Sequence, residues 1–147
     1  MRLTGRKSFI TGAAKGIGLS VARAFAAEGA AVALADISEE ESKKQSLEIK
    51  ETYGVDAIGV KCDVGDTISV QNAIKETSEA FNGLDTIACM AATLTERLDV
   101  VDLPEDEWNR TLNVNLTGSF LVCKHGIPFL REAGGGSIIL TASQMGQ

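Results

Sequence analysis

A glycine-rich turn, Thr11-Gly12-Ala13-Ala14-Lys15-Gly16-Ile17-Gly18, joins a short strand to an amphipathic helix, and no other segment constrains the fold as tightly. Residues 7–11 read as the strand. Gly16 to Glu28 reads as the helix, with Ile17, Val21 and Phe25 on one stripe. Gly29 is placed to end that helix in a left-handed conformation.

The same alternation continues along the chain. Ala31 to Ala35 is a continuous apolar run, as expected of a strand covered on both faces, and Asp36 closes it. Ser38 and Glu41 have capping-box spacing ahead of a polar helix running to Tyr53. Glu39 with Lys43 and Glu40 with Lys44 are i,i+4 pairs, which makes this charge run a solvated face. Gly54 stops the helix, and Ala57 to Lys61 is a third strand. A helix from Ile68 to Asn82, striped by Val70, Ile74, Thr77 and Phe81 and ended by Gly83, leads to a fourth strand, Thr86 to Met90. Pro104 has the place of a first-turn proline in a long helix through Trp108, Leu112 and Phe120 to Arg131, and Pro128 is placed to kink or shorten its end. Gly134-Gly135-Gly136 then turns into a fifth strand, Ser137 to Thr141.

Repeated β-α units predict an α/β fold, a doubly wound parallel sheet. Right-handed crossovers give the strand order 3-2-1-4-5, with the first two helices on one face and the next two on the other. The order reverses between the first and fourth strands, and such sheets bind ligands at the strands' carboxyl ends beside that reversal. No linker, repeat or low-complexity tract divides residues 1–147, which read as one domain.

A length of 147 residues suffices for one sizeable core, and 44 % apolar with 23 % charged residues is ordinary for a soluble globule. A net charge of −6 argues against a nucleic-acid partner, because phosphate-binding surfaces are basic. No apolar run approaches the ~20 residues that span a bilayer, so no membrane is expected, and the amino terminus lacks a signal-peptide core. Cys62, Cys89 and Cys123 are scattered without a Cys-x-x-Cys pair and read as reduced core thiols of a cytoplasmic protein. The single histidine, His125, reads as a helix-surface residue with no companions to hold a metal.

Gly12, Gly16 and Gly18 have the spacing G-x-x-x-G-x-G, in which a diphosphate approaches the backbone without meeting a Cβ. The helix that opens near Gly16 offers unpaired N–H groups and the positive end of its dipole. Asp36, at the end of the next strand, can accept from both ribose hydroxyls of an adenosine and repels a 2′-phosphate, which favours NAD over NADP. Lys15, inside the turn, is the residue that would hold a 2′-phosphate, although the Asp36 charge opposes it.

Together these residues resemble the amino-terminal portion of the short-chain dehydrogenase/reductase family, over the whole chain. The resemblance rests on Thr11-Gly12-x-x-x-Gly16-x-Gly18, Asp36, Asp63-Val64 after the third strand, Asn113-Val114-Asn115-Leu116-Thr117-Gly118 in the long helix, and Gly136-Ser137-Ile138-Ile139-Leu140-Thr141-Ala142-Ser143 at the fifth strand. It implies a Rossmann-like sheet without the family's carboxyl-terminal strands. It also implies a cofactor site of Thr11, Gly12, Lys15, Gly16, Ile17, Gly18, Asp36, Asp63, Val64 and Ala91. Asp63 would bond the adenine amino group with Val64 beside the ring; Asn115 would hold a water of the proton relay; Ser143 would bond the reacting oxygen.

Two departures stand out. The family's Asn-Asn-Ala-Gly after the fourth strand is here Cys89-Met90-Ala91-Ala92, and only Ala91 matches. The family's Tyr-x-x-x-Lys pair follows the serine by a short stretch, whereas the only tyrosine here is Tyr53, with Ala57 four residues on. The expectation is therefore an amino-terminal piece that binds cofactor and is inactive alone. The whole protein is expected to move a hydride between NAD and a secondary alcohol or ketone. Its alternatives are a catalytically incomplete NAD-binding module and an NADPH-dependent 3-oxoacyl thioester reductase. The resemblance also implies a homo-oligomer, assembled through the long helix and the one after it, and a substrate contribution from the loop Thr93 to Leu103.

Overall fold

Alanine-rich and β-branched runs form five parallel strands among the residues that the computed structural model describes, 1–95 and 98–143. These are β1 (Lys7–Thr11), β2 (Ala31–Asp36), β3 (Ala57–Lys61), β4 (Thr86–Cys89) and β5 (Ser137–Leu140), in the order β3-β2-β1-β4-β5. Helices α1 (Gly16–Ala27), α2 (Glu39–Tyr53), α3 (Thr67–Phe81), α4 (Glu105–Leu112) and α5 (Gly118–Glu132) alternate with them. The expected strand order and β-α alternation are both present. The expected substrate loop, 93–103, includes residues 96 and 97, which lie outside the described ones.

Strand register explains the two-sided core. Ile58, Ala33, Phe9, Ile87 and Ile138 stand side by side across the sheet, and Gly59, Leu34, Ile10, Ala88 and Ile139 form the next row. Successive strand residues point to opposite faces. The first row packs with Val70 and Ile74 of α3 and with Leu121 and Val122 of α5. In the second, Leu34, Ile10 and Ala88 pack with Ala22 and Ala26 of α1 and Ile49 of α2, while Ile139 on the edge strand is exposed. Each fully buried large side chain contributes about 1.5–3 kcal/mol relative to exposure. The face towards α1 and α2 is built from small residues: a Cβ on Gly59 would stand 2.3 Å from the Lys43 backbone nitrogen, so α2 lies directly on β3.

Several local expectations are corrected. Ser38 precedes α2 without a side-chain cap; its own N–H donates to Asp36 Oδ1 at 2.9 Å, while Glu41 accepts from Gln45 Nε2 at 2.8 Å. The left-handed residue that ends α3 is Asn82 (φ 53°), one position before Gly83, a conformation that asparagine tolerates. Asp66 caps the start of α3 by accepting the Ser69 N–H at 2.6 Å. Pro104 is the extended N-cap of α4 and not its first helical residue. Pro128 does not end α5, which continues to Glu132.

The long helix is not uniform. Between α4 and α5 the residues Asn113–Thr117 wind as a π-helix, so one continuous rod carries a wider central turn. Such turns concentrate at functional positions. His125 is half-buried, with Nδ1 at 3.4 Å from Gln71 Nε2 of α3, so it is not a plain surface residue. All three cysteines are free, and Cys62 and Cys89 are buried as expected of core thiols.

Candidate cofactor-binding site

The turn after β1 depends on absent side chains. Gly12 (φ 63°) and Gly16 (φ 59°) adopt left-handed backbone that other residues rarely enter. A Cβ on Gly12 would stand 2.7 Å from Ala91 Cα, and one on Gly18 would stand 2.2 Å from the Gly12 carbonyl oxygen. The turn is thus pressed against the loop after β4 on one side and against its own helix on the other. Lys15, at the N-cap of α1, gives no side-chain acceptor to the helix's first turn. The amino end of α1 therefore keeps its donors and positive dipole end for whatever enters beside it.

Thr11 does structural work beneath the turn. Its buried hydroxyl oxygen accepts the N–H groups of Met90 at 3.0 Å and Ala91 at 3.1 Å. These bonds hold the start of the β4 loop against β1 and draw Met90 out of the ladder, so β4 ends at Cys89. Met90 replaces the expected asparagine; its sulfur accepts from the Thr141 hydroxyl at 3.0 Å, tying the ends of β4 and β5.

Asp36 is bonded through both oxygens: Oδ2 accepts the Ala14 N–H at 3.1 Å and Oδ1 accepts the Ser38 N–H. A carboxylate has about four acceptor positions, so two remain for a ligand. Asp63 repeats the arrangement at β3, where Oδ1 accepts the Gly65 N–H at 2.9 Å and the Asp63 N–H donates to Ser69 Oγ at 2.9 Å. Val64 is buried against α5, because a Cβ on Gly118 would stand 2.7 Å from Val64 Cγ2.

One cleft of about 470 Å³ opens at the carboxyl ends of the strands. Of the residues expected to bind cofactor, Gly12, Lys15, Ile17, Gly18, Asp36, Asp63, Val64 and Ala91 line it. Thr11 and Gly16 do not; the first lies below the wall and the second at the start of α1. Asn115 and Ser143 are also outside the lining, both exposed. Asn115 is turned to the loop: Oδ1 accepts the Thr93 N–H at 2.8 Å and Nδ2 donates to the Thr93 carbonyl at 2.9 Å. Ile37, Ser38, Cys62, Met90, Ala92, Thr93 and Val114 also line the cleft, none of them among the residues expected to bind cofactor. Ile37 is 65 % exposed, and an isoleucine beside a terminal Asp36 was a signal that this end of the sheet has an apolar wall to cover.

The lining suits a dinucleotide in shape and charge. The glycine turn presents bare backbone to the cleft, a carboxylate flanks it at β2, and apolar Val64 and Ile37 stand in the wall. Burial pushes the Cys62 thiol, also in the wall, up to about 12, with Asp63 and Asp36 adding to the shift; it is a protonated, inert surface. Among the described residues no cluster of histidine, cysteine or carboxylate side chains could hold a metal ion, and no helix is long and apolar enough to cross a membrane.

Residues 12–147 match the family model described as Enoyl-(Acyl carrier protein) reductase. The chain is 39 % identical over 145 residues to 2,5-dichloro-2,5-cyclohexadiene-1,4-diol dehydrogenase LinX of Sphingobium indicum, covering 99 % of this chain and 57 % of that protein. It is 36 % identical over 143 residues to D-threitol dehydrogenase of Mycolicibacterium smegmatis, covering 97 % and 54 % respectively. The crystal structure of a short-chain type dehydrogenase/reductase from Mycobacterium marinum superposes with a TM-score of 0.92 at 33 % identity, over 98 % of this chain and 58 % of that one. The chain thus spans a little over half the length of these relatives. With the sheet order, the glycine cradle and these matches in agreement, the chain belongs to the short-chain dehydrogenase/reductase family.

Proposed function

We propose that the cleft binds a nicotinamide dinucleotide, with NAD preferred over NADP. We further propose that the whole protein transfers a hydride between NAD and a secondary alcohol or its ketone. The observation that carries this reading is Asp36 standing in the wall of the same cleft as Gly12 and Gly18. The diphosphate would lie over the glycine turn, and the adenosine ribose would meet the free acceptor positions of Asp36. Asp63 and Val64 would receive the adenine amino group and ring, and Ala91 would pass beneath the middle of the molecule. When bound, the nicotinamide ring supplies the hydride acceptor or donor.

The relatives' names support an alcohol class, since one acts on a cyclic diol and another on D-threitol. In this reading Ser143 orients the substrate oxygen and Asn115 supports the proton relay. Tyr53 has no part in it: it closes α2 and packs with Val55 in the layer beneath α1 and α2, away from β5. As a small-molecule enzyme of this family the whole protein is also proposed to be a homo-oligomer and cytoplasmic.

The decisive experiment is titration with NADH and NADPH, followed by nucleotide fluorescence. Tighter binding of NADH by ten- to a hundredfold is expected, the range set by one charge-assisted bond of ~1.5–3 kcal/mol. Binding of neither nucleotide would overturn the reading. A preference for NADPH would assign Lys15 the 2′-phosphate and favour a 3-oxoacyl thioester reductase instead.

A further inference from the structure

Thr93 is held from three directions although it lies in the long connection between β4 and α4. Its N–H and carbonyl pair with the Asn115 side-chain amide, in the manner of a neighbouring strand. Its hydroxyl oxygen accepts from one guanidinium nitrogen of Arg110. The other nitrogen of that fork donates to Glu107 at 2.7 Å, and this carboxylate holds Arg110 firmly protonated. Thr93 lines the cleft; Arg110 and Glu107 do not. A chain of contacts thus runs from the first turn of α4, through Arg110, to the cleft wall.

Strand order fixes which part of the cleft this is. Asp36 ends β2 and Asp63 follows β3, so both carboxylates lie on the β3-β2 side of β1. The glycine turn follows β1, and the Met90–Thr93 segment follows β4 on the opposite side. A dinucleotide with its adenosine at Asp36 and its diphosphate over Gly12 and Gly18 carries its other half past Thr93.

We propose that Arg110 is a positioning residue for the nicotinamide half of the dinucleotide, acting through the Thr93 hydroxyl. The inference rests on reading the cleft as a dinucleotide site. Residues of an irregular loop lose conformational freedom only where specific bonds hold them. Removing the Arg110 fork leaves Thr93 anchored by backbone pairing alone, with its side chain and the wall beside it free to shift. The adenosine end, held by β2 and β3, has no contact with this chain of bonds.

The test compares two probes on the whole gene product: NADH, and ADP-ribose, which lacks the nicotinamide ring. Arg110→Ala is expected to weaken NADH about three- to tenfold and to leave ADP-ribose within about twofold of wild type. Thr93→Val, nearly isosteric, removes the acceptor without disturbing α4 and is expected to give the same pattern. The double variant is expected to lose no more than either single one, because both cut the same contact. Equal weakening of NADH and ADP-ribose, unchanged NADH affinity in Thr93→Val, or full additivity would each overturn the inference alone. Failure of the wild-type protein to bind either probe would overturn the dinucleotide reading, and this inference with it.

Discussion

Asp36 Oδ2 accepts the Ala14 backbone N–H at 3.1 Å, so the carboxylate at the end of β2 braces the glycine turn that it faces. The residue proposed to select the nucleotide is therefore also part of the scaffold. The proposed role and the structural one separate under substitution.

Asp36→Ala is expected to narrow or reverse the preference for NADH over NADPH. It is also expected to destabilise the fold by about 1–2 kcal/mol, because the Ala14 and Ser38 N–H groups lose their acceptor. Asp36→Asn keeps one neutral acceptor and removes the charge. It should lose the nucleotide preference with a smaller shift in urea midpoint, and an unchanged preference in both variants would refute the ribose assignment.

Thr11→Val keeps the shape of a side chain that is 1 % exposed but leaves two N–H groups of the β4 loop without their acceptor. A loss of about 2–3 kcal/mol by urea unfolding is expected, with weaker NADH binding as the loop moves. Thr11→Ser retains the hydroxyl and should stay within about 1 kcal/mol of wild type.

The glycines of the turn are not equivalent. Gly18→Ala drives a methyl group to 2.2 Å from the Gly12 carbonyl, backbone against backbone, and should abolish nucleotide binding with a loss above about 3 kcal/mol. Gly16→Ala meets nothing within 4 Å and bears only the left-handed backbone, a cost of about 1–2 kcal/mol. Thermal or urea unfolding of the two variants side by side checks the order.

Alkaline pH should weaken the fold through its buried thiols. Cys62 and Cys89 are both pushed up to about 12 from an ordinary value of 9.0, chiefly by burial. Below about pH 9 they are protonated in the folded and unfolded chain alike and stability does not depend on them. Between about pH 9 and 12 the unfolded chain ionises first and the folded chain holds more protons. Each thiol then removes up to about 1.4 kcal/mol of stability per pH unit. Urea midpoints at pH 8 and pH 10 check this. The Cys62→Ala, Cys89→Ala double variant should show a flatter decline than the parent.

The fold was legible because its signals are local and repeated. Ala31 to Ala35 can only be a covered strand in this setting, and the stripe Val70, Ile74, Thr77 and Phe81 is a helix face; handed crossovers then leave one strand order. The cleft's glycines and carboxylates were legible for the same reason. What escaped were contacts between distant residues. Nothing in the sequence around Ser38 says that Asp36 will take its N–H, or that Glu41 will turn to Gln45. Thr11 and Met90 are 79 positions apart, and their bond is visible only once β1 and β4 are neighbours. The π-helical turn at Asn113–Thr117 leaves no mark on the pattern of apolar residues, since it shifts register by a fraction of a turn.

Alanines crowd the contact between α1 and the sheet: Ala22 and Ala26 of the helix pack with Ala13 and Ala88 beside Ile10 and Leu34. Short side chains there act as a thin shim that fixes how low the helix rides and hence where its leading amides come to rest. A thicker shim, such as leucine at position 22, would tilt the leading end of α1 upward. Anion capture would then fail at temperatures where the chain is still folded, so that in this layer side-chain volume governs affinity before it governs survival.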